Sequence, residues 1–211
     1  MSAEDLGFIH RYTAGYGRAS QLTLLLLHGT GGDENDLLGL GEALAPGAAL
    51  LSPRGKVLEN GMPRFFRRLS EGVFDLEDLK ARTLELAEFV RNASVAYHLP
   101  SDKIVAAGFS NGANIAASML LLRPDVLAGA VLFRPMVPFI PEQAPDLSNK
   151  NVFIAAGEFD PIVGVEQPEQ LRTMLGQAGA HATLRWFPSG HAISSEEVVE
   201  ARSWLSGLIP V

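Results

Sequence analysis

The chain has 211 residues, carries 17 basic against 24 acidic side chains for a formal net charge of −7, and contains no cysteine. Without cysteine there can be no disulfide, thiolate metal site or cysteine nucleophile, so any covalent chemistry must use another side chain, serine first. The acidic balance argues against nucleic-acid binding, which needs a basic face to displace counterions, and no apolar stretch is long enough to span a bilayer.

Taken in order, the opening segment Met1-Ser2-Ala3-Glu4-Asp5 is acidic where a secretory signal is basic and then apolar, so a cytoplasmic location is expected. Phe8 to Thr13 reads as an antiparallel edge strand. Apolar runs of strand length follow at Leu22 to Leu27, Ala48 to Leu51, Ile104 to Phe109, Leu127 to Phe133, Val152 to Ala156 and Thr183 to Phe187. They alternate with helical patterns, which predicts an α/β fold with a mainly parallel twisted sheet covered by helices on both faces, in one domain spanning 1–211. The clearest helix places Leu79, Thr83, Leu86, Val90, Ala93 and Tyr97 on one face. Another is expected from about Glu169 to Gln177, with Pro168 near its start and Gly179 beyond its end. A last helix opens with a capping-box match, Ser194-Ser195-Glu196-Glu197, and continues through Val198, Ala201, Leu205 and Leu208. Pro53 to about Asp75 reads as a long irregular stretch, of a length that points to function.

The run Lys103 to Ala107 leads into Gly108-Phe109-Ser110-Asn111-Gly112, and a helix-like run from Ala113 to Leu120 follows. Strand, sharp turn and helix are the context a nucleophile elbow requires, and small residues at the two glycine positions let strand and helix approach closely. The competing reading is an ordinary strand-to-helix turn with Ser110 as N-cap. A serine nucleophile needs a general base, and the base needs an orienting carboxylate. Only His181 and His191 follow the elbow. His181 begins a strand and reads as packed or solvated, whereas His191 lies in Pro188-Ser189-Gly190-His191, just past the final strand at the ligand-binding end of a parallel sheet. For the acid, Gly157-Glu158-Phe159-Asp160-Pro161 follows the preceding strand; Asp160, in the loop proper, is the candidate, and Glu158 the second choice. Oxyanion donors are expected from the backbone N–H of Asn111 and of Thr30, the latter in the loop His28-Gly29-Thr30-Gly31-Gly32-Asp33. That loop fits neither the dinucleotide fingerprint nor the Walker pattern, so no phosphate cofactor is expected, and no metal. His28 reads as structural, holding the loop by a hydrogen bond.

Together these segments resemble the α/β-hydrolase superfamily, and more narrowly the phospholipase/carboxylesterase family that also includes acyl-protein thioesterases. Arg64-Phe65-Phe66-Arg67-Arg68-Leu69, Gly72-Val73-Phe74-Asp75 and Leu132-Phe133-Arg134-Pro135-Met136-Val137-Pro138 are similar to a bacterial branch of carboxylesterases associated with methylhydroquinone resistance. The resemblance implies a lidless serine esterase without cofactor, with Ser110, Asp160 and His191 as triad and Thr30 and Asn111 as oxyanion donors. Acyl-protein thioesterases usually carry Gln after the nucleophile, and this chain has Asn111. Small ester hydrolysis is therefore the expectation, with a thioesterase or lysophospholipase on longer chains, and a non-catalytic receptor on the same scaffold, as the alternatives.

Substrate contacts are expected from the stretch between Pro53 and Asp75 and from the segment after the Leu127 to Phe133 strand. Phe65 and Phe66, with Met62 and Phe74, either wall a pocket over Ser110 or pin the stretch to the body. Arg64, Arg67 and Arg68 either attract acidic substrates or pair with Glu71, Asp75 and Asp78. Arg134 ends a strand, where a buried guanidinium needs a carboxylate from a substrate or from Glu158. Met136 follows as a candidate acyl-pocket residue. A small-molecule ester is the expected partner, and exposed apolar faces are compatible with a homodimer.

Overall fold

A computed structural model describes residues 6–207. The acidic segment 1–5 and Leu208, the expected end of the last helix, lie outside the described residues. The strands are β1 (His10–Thr13), β2 (Thr23–Leu27), β3 (Ala49–Pro53), β4 (Val57–Glu59), β5 (Met62–Arg64), β6 (Arg68–Ser70), β7 (Val73–Phe74), β8 (Ile104–Phe109), β9 (Gly129–Phe133), β10 (Asn151–Gly157) and β11 (His181–Phe187). The helices are α1 (Leu38–Leu44), α2 (Leu76–Ala96), α3 (Asn111–Leu122), α4 (Glu166–Gln177) and α5 (Ser195–Ser206).

Seven strands form one sheet in the order β1-β3-β2-β8-β9-β10-β11. Only β1 is antiparallel, pairing His10 with Pro53 and Thr13 with Leu50; the other neighbours run parallel. The near-continuous apolar strands have a simple cause, since helices cover both faces. In β2, Leu24 and Leu26 pack with Leu50, Val131, Phe133 and Phe153 beneath α1 and α5, while Leu25 and Leu27 pack on the opposite face with Leu51, Leu132, Ile154 and residues of α2, α3 and α4. Each of these four leucines is fully buried, contributing about 1.5–3 kcal/mol. Parallel strands all end on the same side, and the loops leaving β2, β8, β10 and β11 meet there.

The helices follow their sequence signals with shifted ends. Asp75 caps α2 by accepting from the Asp78 N–H at 3.1 Å, four residues before Leu79, the first apolar position read from the pattern. α4 begins at Glu166, so Pro168 sits inside its first turn, where a missing N–H costs nothing. α1 carries two glycines and gave no periodic signal; a Cβ at Gly41 would press on the methyl groups of Leu26 and Leu50, so the helix sits close on the sheet there.

The stretch from Pro53 to Asp75 is not irregular. It folds into two antiparallel hairpins, β4–β5 and β6–β7. Asn60 and Gly61 form the first turn with φ of 51° and 82°. Positive φ at both central positions matches the twist of a two-residue hairpin, and Asn-Gly is its strongest sequence signal.

Candidate active site

At the end of β8 the chain turns sharply into α3, and Ser110 takes up that turn with φ 51° and ψ −112°. Such a conformation is strained for a non-glycine residue and persists only where its surroundings enforce it. They do so through backbone crowding. A Cβ on Gly108 would collide with the Gly112 carbonyl, and one on Gly112 with the carbonyl of Leu27. The Ser110 N–H donates to the Phe133 carbonyl at 2.9 Å, fastening the turn to β9.

His191, in the loop between β11 and α5, has Nε2 3.1 Å from Ser110 Oγ. Its Nδ1 lies 2.9 Å and 3.1 Å from the two Asp160 oxygens. The carboxylate fixes the tautomer: Nδ1–H donates to Asp160, leaving the Nε2 lone pair toward the serine. Asp160 Oδ1 also accepts from the Ile162 and Val163 amides at 2.8 Å and 3.1 Å. Burial works to raise the Asp160 pKa, but these amides and the imidazole outweigh it and hold the carboxyl below its ordinary value. The structure thus brings Ser110, His191 and Asp160 into one hydrogen-bonded line. Glu158 and His181, the second candidates, are exposed and apart from it.

The loop after β2 is tied down from several sides. His28 is buried, with Nδ1 2.7 Å from the Gly29 carbonyl and Nε2 accepting from the Gly55 amide at 2.9 Å. Burial lowers its pKa, which suits an imidazole used as one donor and one acceptor. Gly31 N–H donates to the Pro63 carbonyl at 2.9 Å and Gly32 N–H to that of Gly29 at 3.2 Å. Arg64 is buried, donates from Nη1 to Thr30 Oγ1 at 2.9 Å and pairs with Glu59 at 2.9 Å. The Asn111 side chain accepts from the Phe65 amide at 2.8 Å. The hairpin segment therefore braces both Thr30 and the start of α3.

Three substrate expectations need correction. Phe65 and Phe66 are in the core, 2% and 0% exposed, so they pin the segment rather than wall a pocket. Arg134 pairs internally, but not with Glu158. It is buried against Glu197, at 2.7 Å and 2.9 Å, because the protein supplies its own carboxylate from α5. Met136 is half-buried beside Gly72 of the second hairpin turn. Of the other arginines, Arg67 pairs with Asp75 at 2.7 Å and Arg68 with Glu59 at 2.9 Å, so Glu59 takes the part expected of Glu71. An open cavity of about 350 Å³ does adjoin the site, lined by Thr30, Asp36, Leu37, Phe109, Ala192 and Ile193. Phe109 is its legible member, adjacent to Ser110 in sequence and 5.3 Å from the His191 ring. Leu37 and Ile193 carried no signal, since they reach the site through loops.

Around His191 the packing leaves no slack. Arg134 donates to the Gly190 and Ala192 carbonyls, both at 2.8 Å, and its Nε lies 3.7 Å from Asp160 Oδ2. A Cβ on Gly157, at the end of β10, would run into the Ser189 and Gly190 carbonyls. Among the described residues, no group of three or more His, Asp or Glu side chains is arranged to hold a metal ion, and no helix is long and apolar enough to cross a membrane.

Relatives bear on this geometry. The chain matches the family described as Phospholipase/Carboxylesterase over residues 13–209. It is 49% identical over 195 residues to the "Putative hydrolase MhqD" of Bacillus subtilis (strain 168), covering 92% of this chain and 96% of that one. The crystal structure of the Bacillus cereus carboxylesterase superimposes with a TM-score of 0.93 at 48% identity, covering 97% and 96% of the two chains. That of a carboxylesterase from Mesorhizobium loti does so with a TM-score of 0.90 at 33% identity, covering 98% of each. With an α/β-hydrolase sheet and a family match over nearly its whole length, this chain belongs to the phospholipase/carboxylesterase family of hydrolases.

Proposed function

We propose that this hydrolase cleaves small carboxylic esters by a serine mechanism. The observation that carries the reading is the line from Asp160 through His191 to Ser110, with contacts of 2.9 Å and 3.1 Å, ending on a serine held at positive φ. His191 Nε2 removes the Ser110 proton as Oγ attacks the ester carbonyl, and the tetrahedral oxyanion accepts from the Thr30 and Asn111 amides. Collapse expels the alkoxide, which takes the proton from His191 and leaves an acyl-serine. Water, deprotonated by the same imidazole, attacks that ester, and Ser110 recovers its proton. Asp160 stays ionised throughout, fixing the tautomer and stabilising the imidazolium. A cavity of about 350 Å³ lined by Thr30, Phe109 and Ala192, neighbours of the reacting residues, favours a compact acyl or alcohol group, since it lies at the small end of ligand pockets of about 300–1,000 Å³.

The test is labelling of the pure protein by a fluorophosphonate, mapped to the residue, alongside hydrolysis of 4-nitrophenyl esters of increasing acyl length. A single adduct on Ser110 and rates falling beyond short acyl chains are expected. A folded protein that hydrolyses the esters without labelling at Ser110 would overturn the mechanism. Rates rising toward long chains would replace the substrate class.

A further inference from the structure

Arg134 stands at the end of β9 with φ 58°, a strained position for a non-glycine residue, and its side chain is completely buried. Its donors are directed into one small region. Nε reaches the Gly190 carbonyl and Nη2 the Ala192 carbonyl, both at 2.8 Å, so the carbonyls of the two residues flanking His191 hang on one guanidinium. Nη2 also lies 3.0 Å from Ser189 Oγ, and Nη1 3.2 Å from the Ala155 carbonyl. The carboxylate of Glu197 receives both terminal nitrogens and the Ser189 hydroxyl, the latter at 2.8 Å.

Glu197 itself is out of its ordinary place. As the fourth residue of Ser194-Ser195-Glu196-Glu197 it should reach back to the Ser194 amide and close a capping box. Only half of that motif forms: Ser194 Oγ accepts from the Glu197 amide at 3.3 Å and lies 3.2 Å from Glu197 Oε1, while the buried carboxylate pairs with Arg134 instead of the Ser194 amide. The buried carboxylate has a second consequence, because Arg134 Nε lies 3.7 Å from Asp160 Oδ2, the oxygen that His191 Nδ1 engages at 2.9 Å. An unbalanced guanidinium there would compete with the imidazole for Asp160; Glu197 supplies the balancing charge.

We propose that Arg134 and Glu197 are positioning residues for His191, a buried clamp that sets the angle at which Nε2 meets Ser110. The inference rests on the reading of Ser110, His191 and Asp160 as the catalytic set. Neither residue touches the substrate. Their contribution is to hold a loop-borne base as firmly as if it stood on a strand, and an error of about 1 Å at such a base lowers turnover by about a hundredfold.

Two variants test the clamp, each assayed for 4-nitrophenyl acetate hydrolysis, with active sites counted by fluorophosphonate and folding followed by Tm. Arg134→Lys keeps the charge beside Glu197, but a single ammonium cannot span both loop carbonyls and the carboxylate. The Arg134→Met/Glu197→Leu double variant removes both charges, so no lone buried ion remains, and should recover Tm lost by Arg134→Met alone. In both, kcat per folded molecule is expected to fall about 10- to 100-fold with KM within about threefold of wild type. Unchanged kcat per folded molecule in Arg134→Lys would overturn the proposal. So would a double variant that recovers Tm and kcat together, since the pair would then be structural only; if Arg134→Lys fails to fold, the double variant decides. A wild type that takes no label on Ser110 would defeat the catalytic reading itself, whereas a labelled wild type with fully active variants defeats only the clamp.

Discussion

The two flanks of Ser110 are held by different physics. On the Thr30 side the bonds run mostly to backbone groups: His28 between the Gly29 carbonyl and the Gly55 amide, Gly31 to Pro63, Asn111 to Phe65. On the His191 side three charged groups, Asp160, Arg134 and Glu197, are packed together with side chains no more than 1% exposed. The difference is the one the proposed mechanism calls for. An oxyanion hole offers amide N–H groups and needs only a rigid loop, whereas a base that becomes a cation needs counter-charge kept away from water.

Substitutions should separate the flanks. Ser110→Ala, at the junction, is expected to keep the fold and lower kcat on the order of 10⁴- to 10⁶-fold, read by ester hydrolysis. Wild-type-like turnover would leave neither flank a role. On the charged flank, Asp160→Asn should lower kcat about 10³- to 10⁴-fold by admitting the wrong imidazole tautomer. It should also change acid stability. The Asp160 pKa is depressed in the folded protein, so its stabilisation is complete above the ordinary carboxylate value of about 3.9 and is lost as pH falls through the folded value. Urea unfolding of wild type and variant should therefore converge below about pH 3.9; a constant gap would mean the carboxylate charge is not what stabilises.

On the backbone flank effects should be smaller. Thr30→Val removes the hydroxyl that accepts from Arg64 but leaves the amide, so kcat should drop only about two- to tenfold, with a stability loss of about 1.5–3 kcal/mol. A hundredfold loss of kcat would make the side chain, not the backbone, the important group. The smallest effect is expected at His28. Its folded pKa is lowered by burial, so it contributes a stability loss that begins as pH falls below the ordinary value of about 6.5, where the unfolded chain takes up the proton first. His28→Gln should flatten thermal stability between about pH 7 and 5; an unaltered slope would assign that loss to another group.

What could be read in advance follows the same division. Local signals were sufficient for the sheet, because strands buried on both faces are nearly continuous apolar runs, and for Ser110, whose turn needs glycines two residues to either side. The approach of Asp160 and His191 to Ser110 was legible because loops leaving parallel strands converge at one end. The Asn60-Gly61 turn was equally local, and the expectation of an irregular stretch passed over it. Glu197 was out of reach for a different reason. Its pattern with Ser194 is a valid helix cap, and only a guanidinium 63 residues earlier in the chain diverts it. Phe65 and Phe66 misled likewise, since an aromatic in a long connection serves the core or a ligand equally well and only the tertiary structure decides.

Gly157 turns this packing into a dial. Strand β10 meets the His191 loop through a residue with no side chain, and the Ser189 and Gly190 carbonyls rest where a methyl group would stand. One carbon added there would lift the loop away from the elbow while leaving every reacting group chemically intact. The separation between His191 and Ser110 is thus set by the thickness of a bare backbone, and a graded series from Gly157 to alanine and serine would test whether that distance sets the rate.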